Sequence, residues 1–194
     1  MNELIDFIKY TDMVKTRLIF ILLSIPLFIG FTKLNYNPNN EYNRAVPPKI
    51  GEIAPEINLP STDRSISFSL SELRGKMVLV NFWASLVAPC RFENPNLVSA
   101  YQNFKDKSFQ NGNGFTIFSV SIDTDLESWK SGIQKDKLLW PYHVSDLQGY
   151  DSKVAAEYGV KVIPYNYLID GNGKIIAINL RGTELSKMLS SQLK

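Results

Sequence analysis

Cys90 is the only cysteine in this 194-residue chain, and it is the side chain best suited to covalent chemistry. It follows Trp83-Ala84-Ser85-Leu86-Val87-Ala88-Pro89, which leads from the apolar run Met77–Phe82 into helical spacing from about Pro89 to Lys107. A strand-to-helix junction leaves backbone N–H groups unpaired at the positive end of the helix dipole, where an anion is stabilised. A thiolate held there has a lowered pKa and becomes nucleophilic. The spacing argues otherwise for Cys90 itself. Cys90, Leu97, Tyr101 and Phe104 share one helical stripe, so the thiol faces the core. A thiol in apolar surroundings behaves as a small hydrophobe with a raised pKa and little reactivity. The alternative is a mixed disulfide formed when the loop opens.

Other chemistries are narrowed by count. One cysteine closes no internal disulfide, and with His143 as the sole histidine neither residue type can build a metal cluster. No calcium-loop pattern is present, so no metal and no cofactor is expected. The net charge of +2 comes with scattered basic residues, which excludes a nucleic-acid surface. Glu93 lies one turn beyond Cys90 on the edge of the apolar stripe. It reads either as a partly desolvated carboxylate beside the thiol or as a solvated first-turn glutamate favoured by the dipole. Trp83 reads as a wall of a groove beside the loop, with a plain core tryptophan as the alternative. Pro95 falls inside the helix and removes a donor. Trp140 and His143 read as structural.

The elements that must position these residues alternate from Lys49 onward. A short hairpin is predicted near Ile57–Leu59 and Ser65–Leu70. Met77–Phe82 is nearly continuous apolar, as a strand covered on both faces would be. Phe115–Ile122 is the next strand, and Leu126–Lys135 and Lys153–Tyr158 are helical. Tyr165–Asp170 and Lys174–Leu180 flank Gly171-Asn172-Gly173, a hairpin signal. Glu184–Leu193 closes the chain as a helix. This order predicts an α/β sandwich with a mixed sheet.

Residues 75–95, GKMVLVNFWASLVAPCRFENP, resemble the active-site region of the TlpA/ResA-type thioredoxin-like thiol-disulfide oxidoreductases, a family related to the AhpC/TSA and redoxin group. The family pattern is WAS-W-C-x-P-C-x-x-E-x-P. Trp83, Ala84, Ser85, Pro89, Cys90, Glu93 and Pro95 match it, Leu86 stands for the second tryptophan and Val87 for the first cysteine. The resemblance runs from about Gly51 to Leu193 and includes Asn81, Tyr158-Gly159-Val160, Ile163-Pro164, Leu168-Ile169-Asp170 and Gly173-Lys174. It implies a thioredoxin-like three-layer α/β/α sandwich with a mixed sheet. It also implies that Val87 occupies the nucleophile's place and Cys90 the resolving one, in a degenerate VxxC version of CxxC. Valine has no redox chemistry, so dithiol exchange in its usual sense is lost or weakened. Glu93 is implicated by the resemblance in proton handling. Pro164 is implicated as a cis-proline whose preceding residue, Ile163, pairs by its backbone with an extended peptide. A peroxiredoxin needs threonine or serine three residues before its cysteine, and Val87 stands there.

Residues 18–31 carry no charge. As a helix they span roughly 21 Å against the ~30 Å hydrocarbon core, a length that suits a signal-peptide apolar region. No good small-x-small cleavage site follows, which favours an uncleaved anchor over secretion after cleavage. Residues 1–32 are therefore read as a membrane anchor or signal segment, with Met13 as an alternative start. Residues 33–48 are read as a polar linker, and 49–194 as the thioredoxin-like domain. Lys15 and Arg17 put the N-terminus inside, so the domain is expected outside the cytoplasm, on the periplasmic or extracellular face. Three functions follow. One is an envelope oxidoreductase-family protein with residual thiol chemistry. The second is a redox-inactive module that grips an extended peptide or thiol protein at the cis-proline groove. The third is a drifted domain kept for structure in an envelope assembly.

Overall fold

The computed structural model describes residues 46–194. The anchor or signal segment and nearly all of the polar linker lie outside the described residues. Strand β3 (Met77–Trp83) is the centre of the sheet, and all seven of its residues are buried. Its alternating side chains feed two cores. Val78, Val80 and Phe82 enter one, and Met77, Leu79 and Trp83 enter the other. This is how an apolar run without polar alternation is accommodated.

Two short strands, β1 (Asn58–Pro60) and β2 (Ser67–Ser69), form the predicted N-terminal hairpin. Helix α1 (Ala88–Phe104) follows β3. A small two-stranded ribbon, β4 (Ser108–Phe109) with β5 (Gly112–Asn113), leads to β6 (Phe115–Ser121). Then come α2 (Leu126–Lys135), β7 (Tyr142–Val144) and α3 (Lys153–Glu157). The hairpin of β8 (Tyr165–Ile169) and β9 (Ile175–Ile178) precedes α4 (Thr183–Ser191).

The main sheet has the order β7-β6-β3-β8-β9. β3 pairs in parallel with β6 and antiparallel with β8, and β6 pairs in parallel with β7. Each parallel pair requires a crossover helix. The two crossovers step the same way across the sheet, so right-handed connections place α1 and α2 on one face. Buried Cys90, Leu97 and Ala100 of α1, Trp129 of α2, and Leu185 and Leu189 of α4 accordingly share one core. The other face is covered mainly by β1–β2, the 3-10 turn Leu70–Leu73 and short α3, through Leu59, Leu70, Leu73 and Ala155. The mixed sheet lies between these two unequal layers.

β7 and the β4–β5 ribbon have no signal in the sequence. Two- and three-residue strands carry no measurable periodicity, and β7 directly follows Pro141. His143 and Trp140 pack there as a stacked pair, with centroids 5.6 Å apart. Trp140 Nε1 donates to Ser119 Oγ at 2.9 Å.

Candidate functional site

The loop between β3 and α1 is held at three points. The Ser85 N–H donates to both Asp123 carboxylate oxygens at 3.0 Å, and Ser85 Oγ donates to Oδ1 at 2.7 Å. Ser121 Oγ donates to the second oxygen at 2.7 Å. Asp123 is buried, so these neutral donors supply the solvation that burial removes. From the α1 side, Arg91 Nη1 donates to the Ser85 carbonyl at 3.0 Å. The Arg91 guanidinium also grips Asp136, which accepts Asn94 Nδ2 at 2.6 Å. The third hold is steric. A Cβ on Gly132 of α2 would lie 2.6 Å from Ser85 Cβ, so only glycine lets α2 press against the loop.

On this framework Val87 is the N-cap of α1, with extended backbone and no side-chain acceptor for the first-turn N–H groups. Its half-buried side chain packs against both cores, as does that of Ile163. Val87 and Ile163 thus lie on the seam where the two cores meet the surface. Cys90 is fully buried. Burial pushes its thiol up to about 11, against a hydrogen bond from the Ala84 backbone and the positive charge of Arg181. The helical stripe reading of Cys90 as core-facing matches this position.

The Ile163–Pro164 peptide bond is cis. Both residues are half-buried, and neither Val162 nor Ile163 makes a backbone–backbone hydrogen bond among the described residues. Leu86 and Val162, the chain neighbours of Val87 and Ile163, are 81% and 66% exposed, and Phe92 of α1 is 80% exposed. Trp83 has another place. It is fully buried beneath the loop, so it is a core residue and offers no surface as a groove wall. Its position at the end of β3, on the inward face beside α2, accounts for this. Half-buried Glu93 accepts Gly182 N–H at Oε1 (2.9 Å) and Asn96 Nδ2 at Oε2 (3.3 Å).

Three site residues have no local signature in the sequence: Asp123, Asp136 and Arg181. Arg181 donates to the Pro164 carbonyl through Nη2 and to the Leu180 carbonyl through Nη1 at 2.9 Å. Burial lowers its pKa, while the charge of Glu93 pushes it back up. Among the described residues no three His, Cys, Asp or Glu side chains come together to hold a metal ion.

The AhpC/TSA family model matches residues 50–178. The thiol-disulfide oxidoreductase ResA of Bacillus cereus is 29% identical over 186 residues, covering 94% of this chain and 98% of the relative. The thiol:disulfide interchange protein HelX of Rhodobacter capsulatus is 31% identical over 162 residues, covering 80% of this chain and 84% of HelX. The thioredoxin domain of a thiol-disulfide oxidoreductase from Bacteroides vulgatus superposes with a TM-score of 0.66 at 36% identity, over 74% of this chain and 97% of that domain. The fold is thus shared with thiol-disulfide oxidoreductases. This chain belongs to the AhpC/TSA family, among its TlpA/ResA-type thioredoxin-like thiol-disulfide oxidoreductases.

Proposed function

We propose that this chain is an extracytoplasmic member of the family in which dithiol exchange is lost or strongly weakened and the groove around Val87 and Ile163 remains. The observation that carries this reading is the pairing of positions 87 and 90. The half-exposed N-cap, where a helix start would favour a thiolate, carries valine. The only thiol is one turn further on, fully buried and poorly ionised. Exchange needs an accessible thiolate to attack and a second thiol to resolve. Cys90 alone supplies neither half at neutral pH.

The test is reduction of insulin disulfides by the parent and by Val87→Cys. The expected outcome is no turnover above background in the parent and gained turnover in the variant. Equal activity in the two would remove the mechanism. Anchoring through residues 1–32, with the domain outside the cytoplasm, completes the proposal. Among the described residues no helix is long and apolar enough to cross a membrane.

A second reading, a redox-inactive module that binds an extended peptide or a thiol protein, is favoured by one observation. Among the described residues Ile163 makes no backbone–backbone hydrogen bond, and its chain neighbour Val162 is an exposed apolar residue. A backbone edge with an apolar neighbour suits strand addition. Photocrosslinking from position 162 should recover a defined partner. Recovery of none would leave the domain with a structural role only.

A further inference from the structure

The resemblance assigns Glu93 to proton handling beside the thiol, yet both of its oxygens are taken by neutral donors. The Gly182 N–H, 89 residues away, donates to Oε1 at 2.9 Å. The Asn96 amide donates to Oε2 at 3.3 Å. Gly182 is the N-cap of α4, at φ 53 and ψ −122, where L side chains are strained. In a capping box the third helical residue sends a glutamate or glutamine back to the N-cap N–H. In α4 that third residue is Leu185, and Glu93 reaches across from α1 to supply the carboxylate.

The turn before α4 is held on its other side as well. Asn166 of β8 donates Nδ2 to the Leu180 carbonyl and accepts the Leu180 N–H, both at 2.9 Å. Between these two anchors sits Arg181, whose guanidinium holds the Pro164 carbonyl. The charges that act on the Cys90 thiol are those of Arg181 and Asp123, while the charge of Glu93 acts on Arg181.

We propose that Glu93 is a positioning residue: a strut from α1 to the Arg181-Gly182 turn that keeps Arg181 on the Pro164 carbonyl and so sets the spacing between the first turn of α1 and the Ile163–Pro164 loop. Its relevance to binding rests on reading that loop as a groove wall; the strut itself does not. It acts as an acceptor and carries no proton for the thiol.

Two substitutions in the full chain separate the roles. Glu93→Gln keeps an oxygen for the Gly182 N–H and, with the Asn96 amide turned over, a partner for Asn96, but it cannot exchange a proton at neutral pH. Glu93→Ala removes the strut. The Gly182 amide should exchange with solvent about tenfold or more faster in Glu93→Ala, and within about twofold of the parent in Glu93→Gln. In the Val87→Cys background, Glu93→Ala should raise KM for insulin several-fold, while Glu93→Gln keeps both KM and the pH profile of kcat/KM. A displaced pH profile in Glu93→Gln, or unchanged Gly182 exchange in Glu93→Ala, would overturn the strut. If Val87→Cys gains no turnover, the functional reading falls and the exchange measurement still decides the strut.

Discussion

At the residue scale, the chemistry turns on where one thiol sits relative to one helix start. A helix N-terminus lowers a thiol pKa only when the thiol is next to the unpaired N–H groups and open to water. Cys90 is the third residue of α1, in its first turn, but it is fully buried, so desolvation wins over the dipole. With a thiol pKa of about 11, roughly one molecule in a thousand is ionised at pH 8, before any steric barrier is counted. Native protein should therefore react with iodoacetamide at least about a hundredfold more slowly than protein unfolded in urea. Comparable rates in the two states would show that the loop opens readily and would restore a redox role for Cys90.

At the element scale, the loop keeps its shape because α2 and the end of β6 hold it, not because of its own sequence. The carboxylate of Asp123 takes three bonds from Ser85, and Gly132 lets α2 close over the same residue. Gly132→Ala tests this directly. The added methyl lies 2.6 Å from Ser85 Cβ, so either α2 or the loop must move, at a cost of about 1–3 kcal/mol. Urea unfolding should show a lower midpoint with an unchanged slope. An unchanged midpoint would mean that α2 slides freely and does not press on the loop.

At the scale of the whole molecule, stability depends on a histidine remote from the site. His143 is buried against Trp140, with Nε2 facing the Leu138 carbonyl at 3.3 Å. Burial lowers its pKa from 6.5 to about 4. The unfolded chain then binds a proton below pH 6.5 that the folded chain refuses until about pH 4. Stability should therefore be flat above pH 6.5, fall as the pH drops through this window, and level off below it, losing about 3 kcal/mol from this residue. Urea titrations at pH 7 and pH 4.5 measure the difference, and His143→Gln should flatten it. A slope that persists in His143→Gln would place the acid sensitivity on other groups.

Much of this was legible in the sequence, because periodicity and turn chemistry are local. The nearly continuous apolar run of β3 announced a strand covered on both faces. The spacing of Cys90, Leu97 and Phe104 announced a thiol that faces inward, and Gly171-Asn172-Gly173 announced the β8–β9 hairpin. The valine at position 87 is likewise a fact of sequence alone. Tertiary structure decided what depends on distant residues meeting. Trp83 became core because α2 covers it. Ser85 found its carboxylate 38 residues away, Arg91 found Asp136 45 residues away, and Glu93 found Gly182 89 residues away. No pattern read along the chain encodes such meetings. They exist only once the sheet has set α1, α2 and the turn before α4 side by side on one face, where the Glu93 carboxylate of α1 meets the N–H of Gly182.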